Sequence, residues 1–156
     1  MSEGNTENNQ EARRHWMGVL ARASVDDLED HWVREGEGVD YSFLRPPETG
    51  LVMTQGRAGG TGQRFNLGEM DVTRCAVRLS EGIVGHAYVM GRDRRHAELA
   101  AAFDALMQSS PGWGEIQARV IQPLADKFNG ARELRSRKAA ATKVDFYTMV
   151  RGEDLA

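Results

Sequence analysis

The sequence holds a single cysteine, Cys75, in 156 residues. One thiol excludes an internal disulfide and any cysteine-built metal or iron–sulfur centre within the chain. Cys75 lies in a strand-like run, where a small buried hydrophobe is a better account than a reactive thiol. No apolar run approaches the ~18 residues that mark a membrane-crossing helix. The N-terminus is polar and acidic with no apolar stretch of signal-peptide type, so a cytoplasmic protein is expected. The net charge is only -3, too weak a field to draw the chain to nucleic acid or a membrane. The Gly-Lys-Ser/Thr of a P-loop and the G-x-G-x-x-G of a dinucleotide fold are both missing. His15, His31, His86 and His96 show no metal-ligand spacing, and no metal is expected. His86 and His96 read as satisfied, partly buried imidazoles. Neither a nucleophile–base pair nor paired carboxylates are forced together, so no catalytic group can be named.

What is present is ordinary for a folded domain: 40% hydrophobic and 28% charged residues. The length fits one domain. A chain of this size can bury about 68–70% of its unfolded surface. Residues 1–9 are polar and read as a disordered tail ahead of a single domain over 10–156. Trp16, Val19, Leu20 and Ala23 predict a helix from about Gln10 to Ala23. Ser24 is suited to cap a second helix, with Asp26 and Asp27 in its first turn and Gly36 and Gly38 at its end. The two together suggest a helical hairpin.

Strands follow. Val39–Arg45 alternates and is expected to stop at Pro46-Pro47; Leu51–Arg57, Glu69–Leu79 and Ile83–Met90 are further strands. Ser80-Glu81-Gly82 is a tight hairpin signal. Short connections favour an antiparallel sheet. Asp93 can cap a third helix whose apolar face runs His96, Leu99, Ala100, Phe103, Leu106, Met107. Ser110-Pro111 starts a fourth, which Pro123 should kink or split, with Asn129-Gly130 a second point of breakage. Ala131–Lys143 is basic and helix-prone, and Val144–Val150 reads as a last strand that either rejoins the sheet or pairs with another chain. The expected class is therefore α+β, an antiparallel sheet flanked by helices.

Four features invite a functional reading. The glycine-rich run Gly56–Gly62 could bring backbone amides to a phosphate, but a wide turn between strands is the stronger reading. Arg92, Arg94, Arg95 and His96 crowd a helix N-terminus, where each cation costs about 0.3–1 kcal/mol. That cost asks for an anionic ligand or an acidic partner, unless the end is solvated with Arg94 paired to Glu98. Arg74 and Arg78 share one face of a strand, with the same two alternatives. A basic helix over Arg132–Lys143 raises RNA binding, but it lacks interleaved aromatics.

Phe65-Asn66-Leu67-Gly68-Glu69-Met70 and Thr73–Leu79, with Arg45–Val52, Gly59–Gly62, Gly91–Leu99, Phe103–Leu106 and Val144–Asp154, carry a strong resemblance to the PhnG family of the carbon–phosphorus lyase system. The resemblance covers nearly the whole chain after the first dozen residues. It implies a subunit of a hetero-oligomeric core complex with PhnH, PhnI and PhnJ. That complex displaces adenine from ATP with an alkylphosphonate, giving a ribose 1-phosphonate 5-triphosphate, before a radical subunit cleaves the carbon–phosphorus bond. Nucleosidase chemistry falls to PhnI in such systems, so the resemblance implies an accessory, non-catalytic subunit of a transferase. No cofactor of its own is implied; ATP and alkylphosphonate are substrates of the complex. The rival is a stand-alone binding module for a phosphorylated small molecule.

Overall fold

In the computed structural model, residues 3–109 and 113–142 are described. Helices α1 (Glu3–Leu20) and α2 (Val25–Glu35) form the expected hairpin. Three strands follow, β1 (Tyr41–Arg57), β2 (Arg64–Leu79) and β3 (Val84–Met90), in one antiparallel sheet of order β1-β2-β3. Helix α3 (Arg94–Gln108) crosses back over the sheet. A short helix α4 (Trp113–Ile116) runs through a π turn at Gln117–Ile121 into α5 (Gln122–Ala141).

Helix α3 is the centre of the core. Ala97 and every residue from Leu99 to Ala105 are buried, so the helix is enclosed on all sides. The sheet covers one side; α1, α2 and α4 reach the other. Small residues let it come close. A Cβ placed on Gly85 of β3 would lie 2.5 Å from the Ala105 nitrogen and overlap the Ala101 carbonyl. Strand β2 alternates accordingly: Thr73, Cys75, Val77 and Leu79 turn inward, while Arg74 and Arg78 turn out. Trp32 of α2 meets Phe103 and Tyr41 edge-on, with ring centroids 5.3 and 5.9 Å apart.

The caps are those expected. Ser24 accepts the Asp27 N–H and Asp93 accepts the His96 N–H at 2.9 Å. Gly82 takes φ +88° in the β2–β3 turn.

Four expectations need correction. Helix α1 starts at Glu3 rather than near Gln10; extending a formed helix needs no new nucleus. Pro46-Pro47 do not end the first strand. The backbone absorbs them through register shifts between Phe43, Arg45 and Glu48, which a strand at the edge of the described sheet tolerates because no described strand pairs with its outer side. Pro123 does not split its helix. The π turn just before it, with the Gln122 N–H on the Gln117 carbonyl, widens the backbone where the proline ring would crowd the carbonyl one turn back. Asn129-Gly130 are helical too, and α5 continues with every residue from Asn129 to Thr142 exposed. The Ser110-Pro111 start and the Val144–Val150 strand lie outside the described residues.

Candidate functional site

The basic start of α3 is built by three neighbours. Arg92 reaches back to the β2 carboxylate of Asp71, Nε to Oδ2 at 3.0 Å and Nη2 to Oδ1 at 3.3 Å. Arg95 donates to Glu29 of α2 at 3.1 Å and to Glu98 at 3.3 Å. Glu98 also accepts the Tyr41 hydroxyl at 2.6 Å. Burial, and then that carboxylate, push the Tyr41 pKa up to about 12. Arg95, not Arg94, is therefore the partner of Glu98. Arg94 is exposed and has no ion pair among the described residues. His96 is buried, and its Nε2–H donates to the Leu20 carbonyl at 2.8 Å, tying α3 to the end of α1. The cation cost at this helix end is thus offset by carboxylates from β2, α2 and the next turn.

Arg74 and Arg78 sit elsewhere. They lie on the outer face of the sheet, opposite the side that α3 covers. The structure therefore divides the six residues into two groups. Arg74 Nε donates to Glu48 at 2.7 Å, and Arg45 approaches the same carboxylate at 3.6 Å. Arg78 makes no ion pair among the described residues and borders a shallow hollow with Asp40 and Ser42. A second hollow on this face, about 350 Å³, is lined by Leu44, Arg45, Arg74, Ala76, His86 and Tyr88. Two guanidiniums share one carboxylate there, beside an exposed imidazole and a phenol. That set can hold an anion or a polar partner edge.

Cys75 is turned the other way, buried, with its Sγ 3.5 Å from the Arg45 carbonyl. Desolvation by burial pushes its pKa up to about 11, so it is an inert packing thiol. Gly56–Gly62 is a turn between β1 and β2, with Gly59 and Gly60 at φ +59° and +81°, as the turn reading has it.

Sequence reasoning missed the most constrained polar group, Asp104. It is fully buried and accepts from Arg13 (3.2 and 2.7 Å), the Trp16 indole (2.9 Å), the His86 backbone N–H (2.8 Å) and Gln108 (3.3 Å). One carboxylate thus joins α1, α3 and β3. The available signal was an aspartate between Phe103 and Ala105, inside the alanine-rich apolar run of α3.

The described residues hold no group of three metal-ligating side chains, and no helix among them is long and apolar enough to cross a membrane. Their buried polar groups all have partners within the fold. A domain with a finished core behind one face of its sheet, and an open face bearing arginines and apolar side chains, is a binding or assembly domain. Comparison with known proteins gives the particular family. Residues 11–152 match the family model described as phosphonate metabolism protein PhnG. The chain is also 44% identical, over 142 residues, to the alpha-D-ribose 1-methylphosphonate 5-triphosphate synthase subunit PhnG of Rhizobium meliloti (strain 1021), covering 91% of this chain and 90% of that one. The chain belongs to the PhnG family.

Proposed function

We propose that this chain is an accessory, non-catalytic subunit of an α-D-ribose 1-methylphosphonate 5-triphosphate synthase. It supports displacement of adenine from ATP by an alkylphosphonate, in a hetero-oligomer with PhnH, PhnI and PhnJ subunits. The observation that carries this is the 44% identity to a curated subunit of that synthase over nearly the full length of both chains. The geometry is in keeping with it: the polar groups of the core are consumed in holding elements together, and the open sheet face is left to meet something else. The contact groups we assign to partner or phosphate are Arg74, Arg78, Arg92, Arg94 and Arg95. Of these, Arg94 and Arg78 make no ion pair among the described residues. His96 supports the helix start from beneath rather than touching a ligand.

The test is co-expression of the tagged chain with PhnH, PhnI and PhnJ, followed by mass determination of what elutes and an adenine-release assay with ATP and methylphosphonate. A stable hetero-oligomer that releases adenine, beside an isolated chain that releases none, is the expected result. Robust turnover by the isolated chain would remove the non-catalytic role. A chain that elutes alone, folded, would move the assignment to a stand-alone binding module. Within the complex, Arg94→Glu should weaken assembly or triphosphate binding without unfolding the chain, since Arg94 supports no ion pair among the described residues.

A further inference from the structure

Strand β3 covers only part of its neighbour, from Val72 (opposite Met90) to Arg78 (opposite Val84). Beyond that, β1 and β2 run on as a two-stranded ribbon, from Leu51 opposite Asp71 to Arg57 opposite Arg64. At ~3.4 Å per residue the ribbon projects roughly 20 Å. No residue in 51–57 or 64–69 is buried. Its side chains are nevertheless core-like: Leu51 is 62% exposed, Met53 52%, Phe65 47% and Leu67 65%. A two-stranded ribbon of this kind is marginal in water on its own, and its register puts apolar side chains on both faces, Leu51 and Met53 on one, Phe65 and Leu67 on the other.

The tip adds a second, independent feature. Arg57 stands directly across from Arg64 in the last register pair. Like charges directly opposite each other destabilise a strand pair. Neither tip arginine has an ion pair among the described residues, as Arg78 and Arg94 have none, but only Arg57 and Arg64 face each other across a strand pair. They border a hollow of about 330 Å³ with Gln55 and Gly56. Gly56 makes room for the apolar pair. A Cβ there would lie 2.6 Å from Leu67 Cδ1 and 3.6 Å from Phe65 Cζ, so both apolar side chains lie over the bare Gly56 backbone, on the face opposite the one Arg57 and Arg64 share.

We propose that this arm, residues 51–71, inserts into another subunit of the complex, in an apolar groove that ends in carboxylates. The proposal rests on the subunit reading above. Charge complementarity selects the occupant: the paired guanidiniums require acid, and the apolar run behind them requires a groove. A free phosphate would satisfy the tip and leave the apolar run uncovered. A protein groove covers both.

The test uses the full chain co-expressed with PhnH, PhnI and PhnJ. Two double variants, Arg57→Glu with Arg64→Glu and Phe65→Ser with Leu67→Ser, are compared with Leu134→Ser, an exposed change on α5 away from the arm. Each arm pair should cut recovered partner by about tenfold or more, with an unchanged thermal transition of the isolated chain; Leu134→Ser should recover as much as wild type. Thr61→Cys at the turn, with the buried Cys75 silent, should cross-link to a partner subunit through a thiol-to-amine reagent. Arm variants that recover wild-type amounts overturn the proposal and leave the subunit reading standing. A wild-type chain that captures no partner overturns the subunit reading and the proposal with it. Cross-links confined to one chain, or joining only two copies of it, also overturn it. So does loss of tripolyphosphate binding, in the charge variant, without loss of assembly.

Discussion

Strand β2 passes through two environments, and the contrast between them explains most of the molecule. From Thr73 to Leu79 it lies over α3, and alternate residues are buried to a few per cent. From Arg64 to Glu69 the same strand carries Phe65 and Leu67 and buries neither. Apolar content does not separate the halves; cover does. One half is finished by its own chain: Gly85 admits α3, and Asp104 joins three elements. The other half has side chains of interior type with no interior. In a subunit, that asymmetry separates what the chain needs to fold from what it needs to assemble. Changes behind the sheet should then act on stability, and changes on the arm on partners.

The largest effect should come from Asp104. Asp104→Ala leaves the Arg13 guanidinium, the Trp16 indole and the His86 N–H without their acceptor. Arg13 is a third exposed and can turn to water, but each buried donor left unsatisfied, such as the Trp16 indole, typically costs about 1–3 kcal/mol. A urea melt of the isolated chain should show a loss of at least that size, a large fraction of a marginal domain's stability. A loss within about 0.5 kcal/mol would show that the three-element junction contributes little, and would remove the physical basis for the contrast.

Gly85→Val is next. The added carbons meet the α3 backbone at Ala101 and Ala105, which cannot swing aside as a side chain can. Overpacking a tight core costs about 1–3 kcal/mol. Leu51→Ser on the arm supplies the matched measurement. It should shift the isolated chain's stability by no more than about 0.5 kcal/mol, as surface changes do. A Leu51→Ser loss equal to that of Gly85→Val would mean that the arm is part of the core and the contrast is false.

These two sites also mark what could be read from sequence. Local rules worked where a residue acts on its own neighbours. Ser24 and Asp93 cap the helices assigned to them, and Ser80-Glu81-Gly82 makes the hairpin. They failed where the deciding partner is distant. Pro46-Pro47 was a strand stop only until β1 proved to be an edge strand with register shifts. His96 and Arg95 looked like one basic cluster with Arg92 and Arg94. In the fold, His96 bonds Leu20 and Arg95 bonds Glu29, residues 76 and 66 positions away. Arg74 and Arg78 were placed correctly on one face, since alternation is local, but that this face is the one α3 leaves open is a tertiary fact. The arm was unreadable for the same reason. Phe65 and Leu67 have the pattern of a buried strand, and nothing local says that no helix lies behind them.

The smallest predicted effect lies on the finished side. Asp27 caps nothing itself, but its carboxylate holds Lys127 of α5 at 2.7 Å, an ion pair between elements a hundred residues apart. The bond from Lys127, then that with Ser24, lowers its pKa below 3.8. A carboxyl with a lowered folded-state pKa binds its proton more weakly folded than unfolded. Its contribution is therefore present above pH 3.8 and is lost as pH falls below that value, through the folded-state pKa. Lys127 is largely exposed, so the pair should be worth only about 0.2–1 kcal/mol. Asp27→Asn should lower stability by that amount at neutral pH, and the difference from wild type should close as pH is taken below 3.8. Raised salt at pH 7 should narrow it as well. A difference that persists unchanged into acid would mean that Asp27 acts through packing of the α2 start, not through charge.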